Sequence, residues 1–179
     1  DVDYQVGVML AHGSKSTWSG KLFTYGGNTV FSSKAMSVAT ISAKLKQMVL
    51  NTPVDASGEQ GEEGSYSLLK GLTTNYALNQ SKGFFRPNAA LAIVFVSDEN
   101  DICAPYVGMP TMPGLTASEK NIRKRDCANG IATTAVINQV KAVQGERPYL
   151  FGGVIHQPAL YSDAAGDDSH GWGYAEIVD

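Results

Sequence analysis

The residues with the clearest chemical potential are Ser97-Asp98-Glu99-Asn100-Asp101, which directly follow the longest apolar run, residues 89–96. They offer only oxygen ligands. With no histidine or cysteine beside them, they suit a hard cation, Mg²⁺ or Ca²⁺, rather than zinc. In open α/β sheets, ligands sit at the carboxyl ends of the strands, which is where such a carboxylate would lie. A second acidic pair, Glu62 and Glu63, stands just before a helical pattern that begins at Gly64. Both groups also have a plainer reading. Asp and Asn cap turns, and a helix dipole stabilises carboxylates at its N-terminus.

Other reactive types are sparse. The histidines are His12, His156 and His170, and no two have metal-ligand spacing. His12 and His156 each come just after an expected strand, so they could meet at the sheet edge that holds Asp98. Hydrogen-bonded loop histidines are the simpler reading. Cys103 and Cys127 flank one insertion-like stretch, with no CxxC motif. They are either a single disulfide closing that stretch or two free thiols. Gly13-Ser-Lys-Ser-Thr follows a strand, but the GxxxxGK[ST] pattern of a phosphate loop is absent. The glycines at 58, 61 and 64 carry three glutamates among them, which would repel a pyrophosphate. GxSxG and HExxH are absent too, and Asp163, Asp167 and Asp168 lack the spacing of a calcium-binding EF-hand loop.

These residues need a frame. Residues 4–10 read as a buried strand, with a short strand near residues 29–31. Apolar positions 38, 41, 45, 48 and 49 form a helical stripe. A second helix is expected from Gly64 to about Leu78. Leu91–Val96 (LAIVFV) has no alternation, so it is expected to be buried on both faces as a central parallel strand. Thr116-Ala-Ser-Glu119 fits a capping box for a short polar helix through about Arg125. A further helix is expected over residues 131–143 and a third strand over residues 149–155. Residues 163–173 read as an acidic, glycine-rich loop, and residues 173–178 are too short to type.

The 179 residues carry 14 Lys+Arg and 17 Asp+Glu, a net charge of −3. Phosphate contacts need clustered basic side chains, so this balance argues against a nucleic-acid binder. No apolar run approaches the roughly 20 residues needed to span a bilayer. One domain, residues 1–179, with an insertion-like segment at about 100–130, is the economical organisation. Strands alternating with helices predict an α/β fold: a doubly wound, mostly parallel central sheet with helices on both faces.

The stretch Gly83-Phe-Phe-Arg-Pro-Asn-Ala-Ala-Leu-Ala-Ile-Val-Phe-Val-Ser-Asp-Glu-Asn-Asp resembles the corresponding segment of bacterial von Willebrand factor A-like domains. Gly61-Glu-Glu-Gly64 and the Ser-Tyr-Ser-Leu-Leu-Lys-Gly-Leu72 after it resemble that family's second metal-site loop and helix. Asp3-Tyr4-Gln-Val-Gly-Val resembles its second strand. The resemblance implies a metal-ion-dependent adhesion site, in which Mg²⁺ (or Ca²⁺ or Mn²⁺) accepts a carboxylate from a partner protein. It places Asp98 and Glu62 as metal ligands with Ser97 and Glu99 beside them; His12, by its position after an expected strand, is a further candidate neighbour. Glu62 departs from the threonine usual at its position. The family's first motif, Asp-x-Ser-x-Ser, is absent, so the resemblance implies an N-terminally incomplete sheet completed by an upstream segment or a second chain.

The expected function is therefore a non-enzymatic protein- or surface-binding module, extracellular, at a cell surface or periplasmic. Two alternatives remain: a structural subunit of a cell-surface complex with a degenerate metal site, and a metal-assisted hydrolase using Asp98, His12 and His156.

Overall fold

The computed structural model describes residues 2–53, 62–105, 115–128, 130–155, 171 and 173–178. Along the chain run β1 (Gln5–Gly7), β2 (Val30–Ser32), α1 (Val38–Leu50), α2 (Gly64–Leu72), α3 (Tyr76–Ser81), β3 (Leu91–Val96), α4 (Ala117–Asp126), α5 (Thr133–Gln144), β4 (Tyr149–Val154) and α6 (Ala175–Val178).

The strands do not form one sheet. β1 pairs antiparallel with β2, Val6 opposite Phe31, and β3 pairs in parallel with β4, Ile93 opposite Phe151. These are two separate two-stranded ladders, so the expected doubly wound central sheet is corrected. Among the described residues no strand bridges β1 and β3. The expected strand at 4–10 shortens to Gln5–Gly7 with an isolated bridge from Met9 to Leu22.

The expectation that β3 is buried on both faces also fails. Leu91 and Phe95 are buried, whereas Val94 and Val96 are 60% and 74% exposed. Leu91, Ile93 and Phe95 pack on Leu68, Leu72, Val136 and Val140 of α2 and α5. Leu150 and Val154 of β4 are likewise bare, so one face of this ladder is an exposed apolar surface. An unbroken apolar run shows that a strand can be buried on both faces, but not that a second layer covers it.

Local chemistry explains the helices. Ser37 caps α1 by accepting from the Thr40 N–H at 3.2 Å, and Ile41 and Met48 turn inward. The helix expected from Gly64 to Leu78 is split in two. Thr73 leaves helical geometry (φ −120°, ψ −94°), and its hydroxyl donates back to the Leu69 carbonyl. The split lets Asn79 turn inward. Its side chain accepts from the Leu22 N–H (3.0 Å) and donates to the carbonyls of Gly20 (3.0 Å) and Gly71 (3.2 Å). The capping box at α4 forms as read, with Thr116 and Glu119 each bonding the other's backbone.

Helix α2 joins the two strand pairs. The Ser67 hydroxyl donates to the Leu10 carbonyl and accepts from the Gly20 N–H. The Glu63 N–H donates to the Ala11 carbonyl at 2.9 Å. On its other side α2 packs against α5. Cys103 and Cys127 form a disulfide, which ties the end of α4 to the segment following β3. Ile102 and Ile122 pack around it.

Candidate functional site

A cleft of about 640 Å³ separates the ladders. One wall is the chain from Gly7 to His12, the other is β3 and its continuation to Glu99, and α2 with Phe84 and Phe85 lies between.

Main-chain direction alternates along each wall. The N–H groups of Leu91 and Ser97 bond the carbonyls of Pro148 and Val154, so Leu91, Ile93, Phe95 and Ser97 direct their backbone groups toward β4. In a parallel ladder a residue's N–H and C=O point to the same side. Ala92, Val94 and Val96 therefore direct theirs to the opposite edge, where no described strand pairs them. On the other wall, Ser33 N–H bonds the Tyr4 carbonyl and Phe23 N–H bonds the Val8 carbonyl. Gly7 and Met9 accordingly turn their backbone groups away from β2.

The expected site residues Glu62, Ser97, Asp98, Glu99 and His12 all line this one cleft. Glu62 and Asp101 face each other through an isolated parallel bridge. The Ser97 hydroxyl lies within bonding reach of both the Glu62 carboxylate and the Glu99 carbonyl, and its one proton serves one at a time. The Tyr174 hydroxyl also donates to Glu62, at 3.2 Å, while accepting from the Gly64 N–H at 3.2 Å. Burial pushes the Glu62 carboxyl up to about 7 against the hydroxyls of Ser97 and Tyr174, and the charges of Glu99 and Asp98 add to the rise. Asp98 and Glu99 are exposed at the rim, and His12 Nδ1 pairs with the Ser16 hydroxyl at 2.9 Å.

Beneath the rim lies a buried acidic layer. Asp101 is fully enclosed; its carboxylate accepts from the N–H groups of Ser65 (2.7 Å) and Cys103 (2.8 Å). It thereby caps the first turn of α2 from a distant part of the chain. Burial raises its pKa all the same. Glu63 is raised to about 9, by burial and then by its hydrogen bond to Asp126, so it is protonated near neutrality. Asp126 also feels burial, but hydrogen bonds from Arg125, Ser14 and Glu63 hold it well below the usual carboxylate range.

The donor set bears directly on a metal. Among the described residues, the one group of three ligand types with atoms within 4.8 Å of one another is Glu63, Cys103 and Cys127. Its two sulfurs are bonded to each other, so they are not thiolate ligands. Glu62, Asp98, Glu99 and His12 share a cleft without forming such a chelating trio. Among the described residues, these four therefore form no group of three converging ligands for Mg²⁺. His156, the third hydrolase candidate, lies outside the described residues, as does His170.

Sequence reasoning did not place Tyr174 or Asp126 in this region. The signal available was Gly64: a Cβ there would come within 2.6 Å of the Tyr174 hydroxyl, so that close approach requires glycine.

Comparison with protein families, with curated proteins and with solved structures finds no match for this chain. The von Willebrand factor A-like resemblance therefore rests on its quoted motifs alone. No helix among the described residues is long and apolar enough to cross a membrane.

Proposed function

We propose that this chain is a non-enzymatic polypeptide-binding module and that its binding surface is the cleft between the two ladders. One observation carries the reading. The cleft is walled by two strand edges whose backbone groups point into it, and the carboxylates singled out from the sequence gather at one end of it. Buried backbone groups need hydrogen-bond partners, and a polypeptide supplies them in series.

Selection of peptides from a random display library on the immobilised chain tests this. Clones recovered on the native chain should fail to bind a Val94→Pro variant, which removes an N–H from the cleft edge and leaves the pairing to β4 in place. Clones that bind both proteins equally would place recognition elsewhere.

A second reading is cation-bridged binding, with Mg²⁺ recruited between Glu62 and Asp98 and completed by a partner's carboxylate. Glu62 favours it: burial and the charges of Glu99 and Asp98 raise its carboxyl, and a cation there would offset both. Mg²⁺ is commonly held by one or two carboxylates with waters. Calorimetric titration with Mg²⁺, Ca²⁺ and Mn²⁺ on the native chain and on Asp98→Ala decides it. Heat that disappears in the variant supports the bridge, and no heat with any of the three removes it.

A further inference from the structure

The polypeptide-binding reading above leaves the form of the partner open, and the two cleft walls narrow it. We infer that the cleft takes an extended, mainly apolar strand of another polypeptide, paired to β3 and carrying a basic side chain at the carboxylate end. The inference rests on the binding reading and adds the conformation and charge of what binds.

Three observations converge. The first is the alternation on β3, where the backbone groups of Ala92, Val94 and Val96 face the cleft in series. A helix satisfies its own backbone groups and cannot pair with such an edge, whereas an extended strand matches its spacing. Gly7 and Met9 offer a second edge across the cleft, so an inserted strand is offered partners on both sides.

The second observation is the wall chemistry. Leu10, Leu22, Leu68, Leu72, Phe84 and Phe85 line the cleft, which suits alternate apolar side chains on the entering strand. Exposed strand edges next to apolar surface are a liability that folded proteins normally cover. Here Val94 and Val96 stay largely exposed beside an open edge.

Charge is the third. Glu62 and Asp98 line one end of the cleft, and no lysine or arginine lines it among the described residues. A Lys or Arg on the strand complements that end. A strand bearing a carboxylate would be repelled there unless a cation intervened.

The test uses short fluorescein-labelled peptides that alternate valine and threonine, with lysine at either terminus. Controls carry a central proline, which removes an N–H, or glutamate in place of lysine. Anisotropy reads affinity, and amide hydrogen exchange by NMR reads pairing. Strand insertion predicts that a lysine peptide binds, that the proline control does not, and that the Ala92, Val94 and Val96 amides gain protection on binding. Asp98→Asn is expected to weaken the lysine peptide about two- to fivefold, the scale of rim charge pairs.

Binding that shifts cleft resonances without protecting those three amides overturns strand pairing while leaving polypeptide binding standing. Failure of every strand peptide at millimolar concentration, with display clones still mapping to the cleft, overturns it in the same way. Preference for the glutamate peptide, and only with Mg²⁺, overturns the basic end and supports the cation-bridged reading. If the chain alone is dimeric with the three amides already protected, the occupant is a second copy and the inference fails.

Discussion

Replacing both Cys103 and Cys127 with alanine removes the covalent tie between the end of α4 and the segment after β3. The two cysteines are 24 residues apart in sequence. For a closed loop of that size, the chain-entropy relation gives a loss of about 3.5 kcal/mol at 25 °C. That is a large share of the roughly 5–15 kcal/mol typical of whole domains. With a urea slope of about 2 kcal/mol per molar, the unfolding midpoint should fall by nearly ~2 M. Both cysteines are buried among Ile102 and Ile122, so lost packing adds to the entropic loss. The assay is urea unfolding followed by circular dichroism, on the native chain with and without reductant and on the double variant. The reduced native chain should match the variant. An extrapolated stability for the variant within roughly 10–15% of the oxidised native chain's, the error of the extrapolation, would refute the reasoning.

Three further outcomes follow from the contacts around the cleft. Asn79→Ala leaves the Leu22 N–H and the Gly20 and Gly71 carbonyls without their side-chain partner, and should cost roughly 3 kcal/mol by denaturant unfolding; a cost near zero would show that the backbone groups find other partners. Gly64→Ala drives a methyl into the Tyr174 ring, 2.5 Å away, and should cost about 1–3 kcal/mol while shifting the Tyr174 resonances; an unchanged tyrosine environment would contradict the packing. Glu63 is raised to about 9 in the folded chain, so its protonated form contributes stability that is fully present below its ordinary range near 4.5 and is lost as pH rises toward 9. Glu63→Gln keeps a donor toward Asp126 and abolishes this loss. Its stability should gain on the native chain by about 1.4 kcal/mol per pH unit across neutrality, and parallel pH profiles would contradict that.

The elements that were legible in the sequence are those fixed by local chemistry. LAIVFV is strand at both of its expected ends, and the Thr116–Glu119 capping box opens α4, because each signal needs only neighbouring residues. The break between α2 and α3 was not legible. It depends on Asn79 reaching the Leu22 and Gly20 backbone, 57 and 59 residues away. The sheet was misread for a related reason. Strand pairing is a nonlocal property, and apolar runs carry no record of which edges meet. In the site, strand-end position brought Asp98, Glu99, Glu62 and His12 into one cleft. The same reasoning does not distinguish sharing a cleft from converging on one point, which depends on side-chain directions set by the whole fold. Asp101 was read as one more member of an acidic turn. Its burial under Gly173, and its role as the cap of α2, depend on contacts made across the fold.

The open edge of β3 is the central structural claim, and amide hydrogen exchange of the isolated chain measures it residue by residue. Alternation is the expected result: slow exchange at Ile93 and Phe95, which face β4, and fast exchange at Ala92, Val94 and Val96, which face the cleft. Uniform slow exchange along Leu91–Val96 in the monomer would mean that the edge is already paired, and would contradict the account.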